Sequence, residues 1–365
     1  MRSTMKLMLS LACAVAIGSI AHAQVPAGYP ADYAKIVEAA KKEGKVVVYS
    51  TTDAKLVTPL IKDFEALYPG VKVEYTDLNS TEVYNRFVSE SAANAASADA
   101  VWSSSMDLQM KLAADGLAAA YKSPEAGSLP DWAKFKDTVY ATTFEPIAIV
   151  YNKRLVPPED VPKTHADFTK LLNTKADKYQ KKITTYDVEK SGVGFMLANQ
   201  DAKLDPQYLE LVKAMGARGA NMQSSTGTMM ERVSSGENLF GYNILGSYAL
   251  TRAKKDPSIG IAFTTDYNLV LSRLVFLAKN AKNPNAGKLW VDYLLSKRGQ
   301  TITSEQAELF SVRTDMTGKD SGVAFAKELG SAVKPIAVNN DLLAGLDQTK
   351  RLEFLKQWQT TLGRK

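Results

Sequence analysis

The chain has 365 residues, one cysteine, two histidines and a formal net charge of +6 from 45 basic and 39 acidic side chains. That length suggests two domains, each able to bury a core without cross-links. The basic residues are scattered as isolated pairs, Lys41-Lys42, Lys181-Lys182 and Lys254-Lys255, rather than gathered on one face with aromatics between them, which argues against a nucleic-acid partner.

Residues 1–23 read as an export signal: Arg2 and Lys6 precede an apolar stretch over 7–20, and Ala21-His22-Ala23 supplies the small-x-small cleavage pattern. The stretch is too short for a spanning helix of about 20 apolar residues. Cleavage leaves 43 basic and 39 acidic residues, no cysteine, and His165 as the one histidine. A chain exported to an oxidising compartment without cysteine must rely on its core. No later segment approaches about 18 uninterrupted apolar residues, so a soluble, periplasmic product is expected.

Along the chain, the Ala and Lys content over 33–42 predicts a helix, closed by Gly44. Residues 45–49 form a Val-rich run without alternation, as in a central strand buried on both faces. Leu56, Val57, Leu60, Ile61, Phe64 and Leu67 fall on one helical stripe that stops at Pro69-Gly70. A strand over 71–75, a helix over 81–96, a strand over 98–102 and a helix over 106–114 continue the alternation, which predicts βαβ units and parallel pairing. A β-rich stretch over 138–152 is broken by Pro146, and a second runs over 269–278, followed by helices near 284–297 and 300–308. Between the two stretches lies an α/β segment ending in a strand at 259–263.

The predicted fold class is therefore α/β with two lobes, each a mostly parallel sheet flanked by helices. Residues 24–142 plus 266–365 are expected to form one lobe and 143–265 the other. Hinges are expected near Thr142-Thr143 and Thr265-Asp266, with a cleft between the lobes.

In open α/β sheets, ligands bind beyond the carboxyl ends of the strands, where helix N-termini present free N–H groups. Four strand ends here lead into small hydroxyl residues: Ser50-Thr51-Thr52-Asp53, Ser103-Ser104-Ser105, Tyr186 through Asp187 to Ser191-Gly192, and Ser225-Thr226. Converging N–H and O–H donors suit an oxyanion. Each junction taken singly is equally an ordinary helix cap, and Thr228 with Glu231 fits a capping box. Tyr242, Asn243 and Ser247 add aromatic, amide and hydroxyl groups as further candidates, and Gly192 could admit a ligand close to the backbone.

Catalytic patterns fit poorly. A hydrolytic triad needs a histidine base, and His165 sits where Thr164 opens a helix. There is no H-E-x-x-H, no cysteine pair and no G-x-x-x-x-G-K-[ST]. Ser191-Gly192-Val193-Gly194 fails as a dinucleotide fingerprint because position 197 is Leu. No enzymatic activity, cofactor or metal site is expected.

The order of segments resembles the periplasmic solute-binding proteins of ABC importers, in the ferric-iron, phosphonate and thiamine group with the type II binding fold. The residues that carry the resemblance are Val48-Tyr49-Ser50, Asp99-Ala100-Val101-Trp102, Ala148-Ile149-Val150-Tyr151-Asn152, and Ala281-Lys282-Asn283-Pro284 leading to Trp290-Val291-Asp292-Tyr293 with Arg298-Gly299-Gln300. Membership implies hinge closure over a small-molecule ligand and docking to an ABC permease in the inner membrane; a monomer is expected. The group's ferric binders use an adjacent tyrosine pair, whereas this chain has Asn243-Ile244-Leu245-Gly246-Ser247-Tyr248 at that place. Iron wants hard anionic oxygens, so an anionic organic solute is the favoured ligand. A ferric-iron binder and a periplasmic hydrolase are the competing readings.

Overall fold

The computed structural model describes residues 25–26, 28–307, 309–319 and 321–364; the expected export signal lies outside the described residues. The first lobe opens with α1 (Tyr33–Glu43), β1 (Lys45–Ser50), α2 (Ala54–Leu67), β2 (Lys72–Asp77), α3 (Ser80–Ala92), β3 (Ala100–Ser103) and α4 (Met106–Ala114). Gly44 closes α1 at φ +77°, a left-handed conformation that costs glycine little. At the start of α3, Asn79 and Glu82 form a reciprocal capping box.

Two short strands, β4 (Lys134–Phe135) and β5 (Val139–Ala141), precede the passage into the second lobe. That lobe contains β6 (Glu145–Asn152), α5 (His165–Thr174), β7 (Ile183–Tyr186), α6 (Gly192–Leu204), α7 (Tyr208–Ala217), β8 (Asn221–Gln223), α8 (Thr226–Ser235), β9 (Phe240–Leu245), α9 (Gly246–Lys255), β10 (Ile259–Ala262) and β11 (Asn268–Leu271). The chain returns through β12 (Leu274–Leu277), α10 (Pro284–Leu295) and α11 (Lys297–Glu305), then runs through α12 (Gly322–Leu329), β13 (Val333–Pro335) and α13 (Gln348–Leu362).

The strands form two sheets, ordered β2-β1-β3-β12-β5-β4 and β13-β11-β6-β9-β7-β8, with β10 also paired to β6. The parallel pairing expected of βαβ units holds in β2-β1-β3 and in β9-β7-β8. Apart from the parallel β11-β13 pair, the strands that carry the chain between lobes run antiparallel to their neighbours, so both sheets are mixed.

Each of the two long β-rich stretches is in fact a pair of strands, broken where it changes sheet. The first break is at Thr142–Phe144, between β5 and β6. The second falls at Ser272-Arg273 rather than 265/266, because Val270 and Leu271 pair with Pro146 and Glu145 in the second sheet. The C-terminal part also departs from the expected division. Strand β13 pairs with β11, and Trp358 on α13 donates to the Tyr208 hydroxyl of α7 at 3.2 Å, so the chain's end packs on the second lobe. Alternating strand residues look alike on both sides of a break, so periodicity carries no mark of a sheet change.

The two passages are bonded to each other. Thr142 donates its amide to the Arg273 carbonyl (2.9 Å), Arg273 donates its amide to the Thr143 hydroxyl (2.9 Å), and the indole of buried Trp102 reaches the Thr142 hydroxyl at 2.7 Å. The carboxyl ends of β1, β3, β7 and the start of α8 thereby face one seam.

Candidate functional site

A cavity of about 200 Å³ lies in that seam. Its first-lobe wall consists of Thr51 and Asp53 after β1, Asp77 to Ser80 between β2 and α3, and Ser104 after β3. The second-lobe wall is Tyr186 at the end of β7, Ser224 to Gly227 at the start of α8, and Leu245 and Tyr248 around the start of α9. Arg273, at the passage between lobes, also lines it.

All four hydroxyl-rich junctions reach this region, but successive residues point opposite ways, as they must at a strand end. Thr51 and Asp53 face the cavity. Ser50 and Thr52 are fully buried beneath it: Ser50 accepts the Thr52 amide (3.1 Å), and the Thr52 hydroxyl accepts from Arg273 (3.1 Å). Ser104 faces the cavity and bonds Thr51 through both its hydroxyl (3.1 Å) and its amide (2.9 Å). Its neighbours turn inward, Ser103 accepting the Ser105 amide and Ser105 donating to Asp107 at 2.8 Å.

On the opposite wall, the Tyr186 phenol is hydrogen-bonded to the Thr226 hydroxyl, and burial pushes its pKa up to about 12. Ser225 caps α8 by accepting the Thr228 amide at 3.3 Å. The amides of Thr226 and Gly227 occupy the first two helical positions, which have no acceptor within the helix. Both residues line the cavity, so the positive end of the α8 dipole lies against it.

Ser191 and Gly192 do something else. Ser191 caps α6 by accepting the Gly194 amide (3.2 Å), and the next amides are taken by the first lobe: Gly192 donates to the Thr81 hydroxyl and Val193 to the Ser80 hydroxyl, each at 3.2 Å. The close approach foreseen at Gly192 is thus to the facing lobe. Ser247 is buried and donates to Glu145 at 2.7 Å. Tyr242 and Asn243 lie outside the cleft. Both donate to buried Asp201, at 3.0 and 2.7 Å, in a separate space of about 10 Å³ beside His165 and Tyr267.

Arg273, which the sequence reading passed over, organises the cavity floor. Its guanidinium donates to Glu145 twice (Nε to Oε1 2.8 Å, Nη2 to Oε2 3.1 Å), and to the Thr51 carbonyl and Thr52 hydroxyl at 3.1 Å each. Burial opposes its charge, yet the Glu145 carboxylate more than offsets this and the pKa is raised. The signal was present: Arg273 is the one charged residue in the apolar run 269–278. Tyr248 lies under the guanidinium, 5.7 Å from its ring centre, and crosses the seam to donate to Asp53 at 3.1 Å.

Two α/β lobes, joined by paired passages and enclosing a polar cavity at their strand ends, define a two-lobed binding protein of the type II periplasmic fold. The chain belongs to the bacterial extracellular solute-binding proteins, whose family pattern it matches over residues 59–327. It is similar to the substrate-binding protein of an ABC transporter from Agrobacterium tumefaciens, at 37% identity over 87% of this chain and 94% of that one, with a TM-score of 0.84. More distant likenesses, of fold alone, are AfuA from Actinobacillus pleuropneumoniae with fructose-6-phosphate bound (20% identity, 88% and 99% covered, TM-score 0.71) and iron-bound HitA from Pseudomonas aeruginosa (18%, 87% and 99%, 0.67). The protein is a substrate-binding component of the ABC-transporter kind. Among the described residues, no helix is long and apolar enough to cross a membrane.

Proposed function

We propose that this protein captures a small anionic organic solute, a phosphonate, phosphorylated compound or carboxylate, in the interlobe cavity of the periplasmic, signal-processed chain and delivers it to an inner-membrane ABC permease. The observation that carries the anionic reading is the start of α8. Its two open amides, with the Ser225 and Thr226 hydroxyls, line the cavity opposite Ser104 and Thr51. Charge-assisted hydrogen bonds from such donors contribute about 1.5–3 kcal/mol each.

Ferric iron is the weaker reading. It needs anionic oxygens, and the cavity's phenols are poor candidates: burial raises the pKa of both Tyr186 and Tyr248, and each is already engaged, with Thr226 and Asp53.

A thermal-shift screen of the processed protein against phosphonates, sugar phosphates, dicarboxylates, polyamines and ferric citrate tests the proposal. A true ligand at 100 times its Kd stabilises by about 2.7 kcal/mol. Stabilisation by anions supports the reading. A visible tyrosinate-to-iron band with ferric citrate would replace it, and steady turnover of an ester or phosphoester would point to an enzyme.

A further inference from the structure

The cavity is not uniformly suited to an anion. Among its described lining residues the one cation is Arg273, and its charge is matched by the bidentate Glu145 behind it. Two carboxylates, Asp53 and Asp77, line the same space. Each has one oxygen engaged: Asp53 Oδ1 accepts the Tyr248 hydroxyl (3.1 Å), and Asp77 Oδ2 accepts the Ala54 amide (3.0 Å). Asp53 Oδ2 and Asp77 Oδ1 have no donor among the described residues. Burial raises the Asp77 pKa and the neighbouring Asp53 adds to this, as expected of two like charges close together at the cavity's exposed edge.

A bare dianion drawn to the amides of α8 would therefore meet two like charges across about 200 Å³. We infer that the ligand is a zwitterion: its anionic group sits on the α8 amides of the second lobe, and an ammonium group sits between Asp53 and Asp77 of the first. This rests on the anionic reading above and adds a second requirement to it. Because the α8 amides and the two carboxylates belong to different lobes, one molecule carrying both charged groups bridges the seam with a charge-matched contact on each side. A hydroxyl could donate to one carboxylate but would leave the charge of both uncompensated.

Matched pairs test this by titration calorimetry on the processed protein. The first set is ω-aminoalkyl phosphates and phosphonates of two to four carbons; the second is their desamino alkyl counterparts; the third is diamines of similar length. The expected result is that an ammonium-bearing member binds at least about tenfold more tightly than its desamino partner. In Asp53→Asn/Asp77→Asn the advantage should shrink to less than about threefold. Equal binding of wild-type protein to both members of every pair, or no binding by any aminoalkyl compound, overturns the zwitterion while leaving the anionic reading to the wider screen. Binding of diamines as tightly as the aminoalkyl phosphates overturns the anionic reading itself. The wild-type comparison needs no variant, so the test survives if the double substitution fails to fold.

Discussion

Arg273 and Glu145 meet as a fork across the seam between the lobes, with side chains 1% and 0% exposed, one from each of the two interlobe passages. The pair is held from both sides: Thr143 and Ser247 donate to Glu145, and Thr51 and Thr52 accept from Arg273. Removing one member strands the other as a buried, uncompensated charge, which costs about 3–5 kcal/mol. Arg273→Ala and Glu145→Ala should each lower the free energy of urea unfolding by that amount, while the double substitution Arg273→Met/Glu145→Met should lose much less. A loss under about 1 kcal/mol in either single variant would show that the pair is not desolvated as the geometry requires.

Gly192 offers a way to alter closure without altering either lobe. A methyl group there would lie 2.8 Å from a Leu108 methyl, 3.0 Å from the Ser105 hydroxyl and 3.1 Å from the Ser80 hydroxyl, all across the seam. Alanine suits a first helical turn better than glycine, so the second lobe should tolerate it. Gly192→Ala should therefore act as a wedge that weakens the closed state by about 1 kcal/mol, raising Kd roughly fivefold, with unfolding free energy within about 0.5 kcal/mol of wild type. Small-angle scattering of the ligand-bound variant should show a larger radius of gyration. Unchanged affinity would mean that the closed seam at Gly192 accommodates the added methyl group.

How much of this was legible depends on what each residue's neighbours reveal. The alternation of strands and helices, the two lobes and the hydroxyl-rich strand ends follow from local pattern and were readable. Which of Ser50, Thr51, Thr52 and Asp53 would face the cavity was not, since the facing parity depends on where β1 ends against β3. Ser103, Ser104 and Ser105 posed the same problem. Tyr242 and Asn243 belong to β9 itself, upstream of its carboxyl end, which is why they meet Asp201 rather than the cleft. Arg273 was visible as a charge inside an apolar strand run, and a buried charge of that kind implies a buried partner; Glu145, beside Pro146 in the other β-rich stretch, is that partner.

Asp160 carries a separate, pH-dependent prediction. Its side chain is 1% exposed and accepts from Lys175, from Lys178 at 2.9 Å and from the Tyr179 hydroxyl at 2.6 Å. Burial alone would raise its pKa, but these three donors outweigh it and hold the value at about 2, below the ordinary 3.8. A folded-state pKa below the unfolded one means the carboxylate stabilises the fold fully above about pH 4, and this stabilisation disappears as pH falls toward 2. Asp160→Asn should thus be less stable than wild type at pH 5–7, by on the order of 1 kcal/mol once screening of the two exposed lysines is allowed for. The gap should narrow through pH 4 to 2 in denaturant titrations at stepped pH; a constant gap would mean that packing, not charge, is what asparagine loses.

The α8 N-terminus bears the ligand assignment, and Ser225→Ala/Thr226→Ala separates its two roles. As a cap, Ser225 stabilises the helix by about 1 kcal/mol. Thr226 adds its bond to Tyr186. If these residues only cap, the double variant should unfold at lower urea while binding the identified solute as before. If they also donate to the anion, Kd should rise about a hundredfold or more, an effect larger than the stability loss and matching two lost charge-assisted bonds. Calorimetric titration alongside urea unfolding reads both quantities on the same sample. An unchanged Kd would remove Ser225 and Thr226 from the binding wall and leave Thr51 and Ser104, on the opposite lobe, as the hydroxyl donors to examine next.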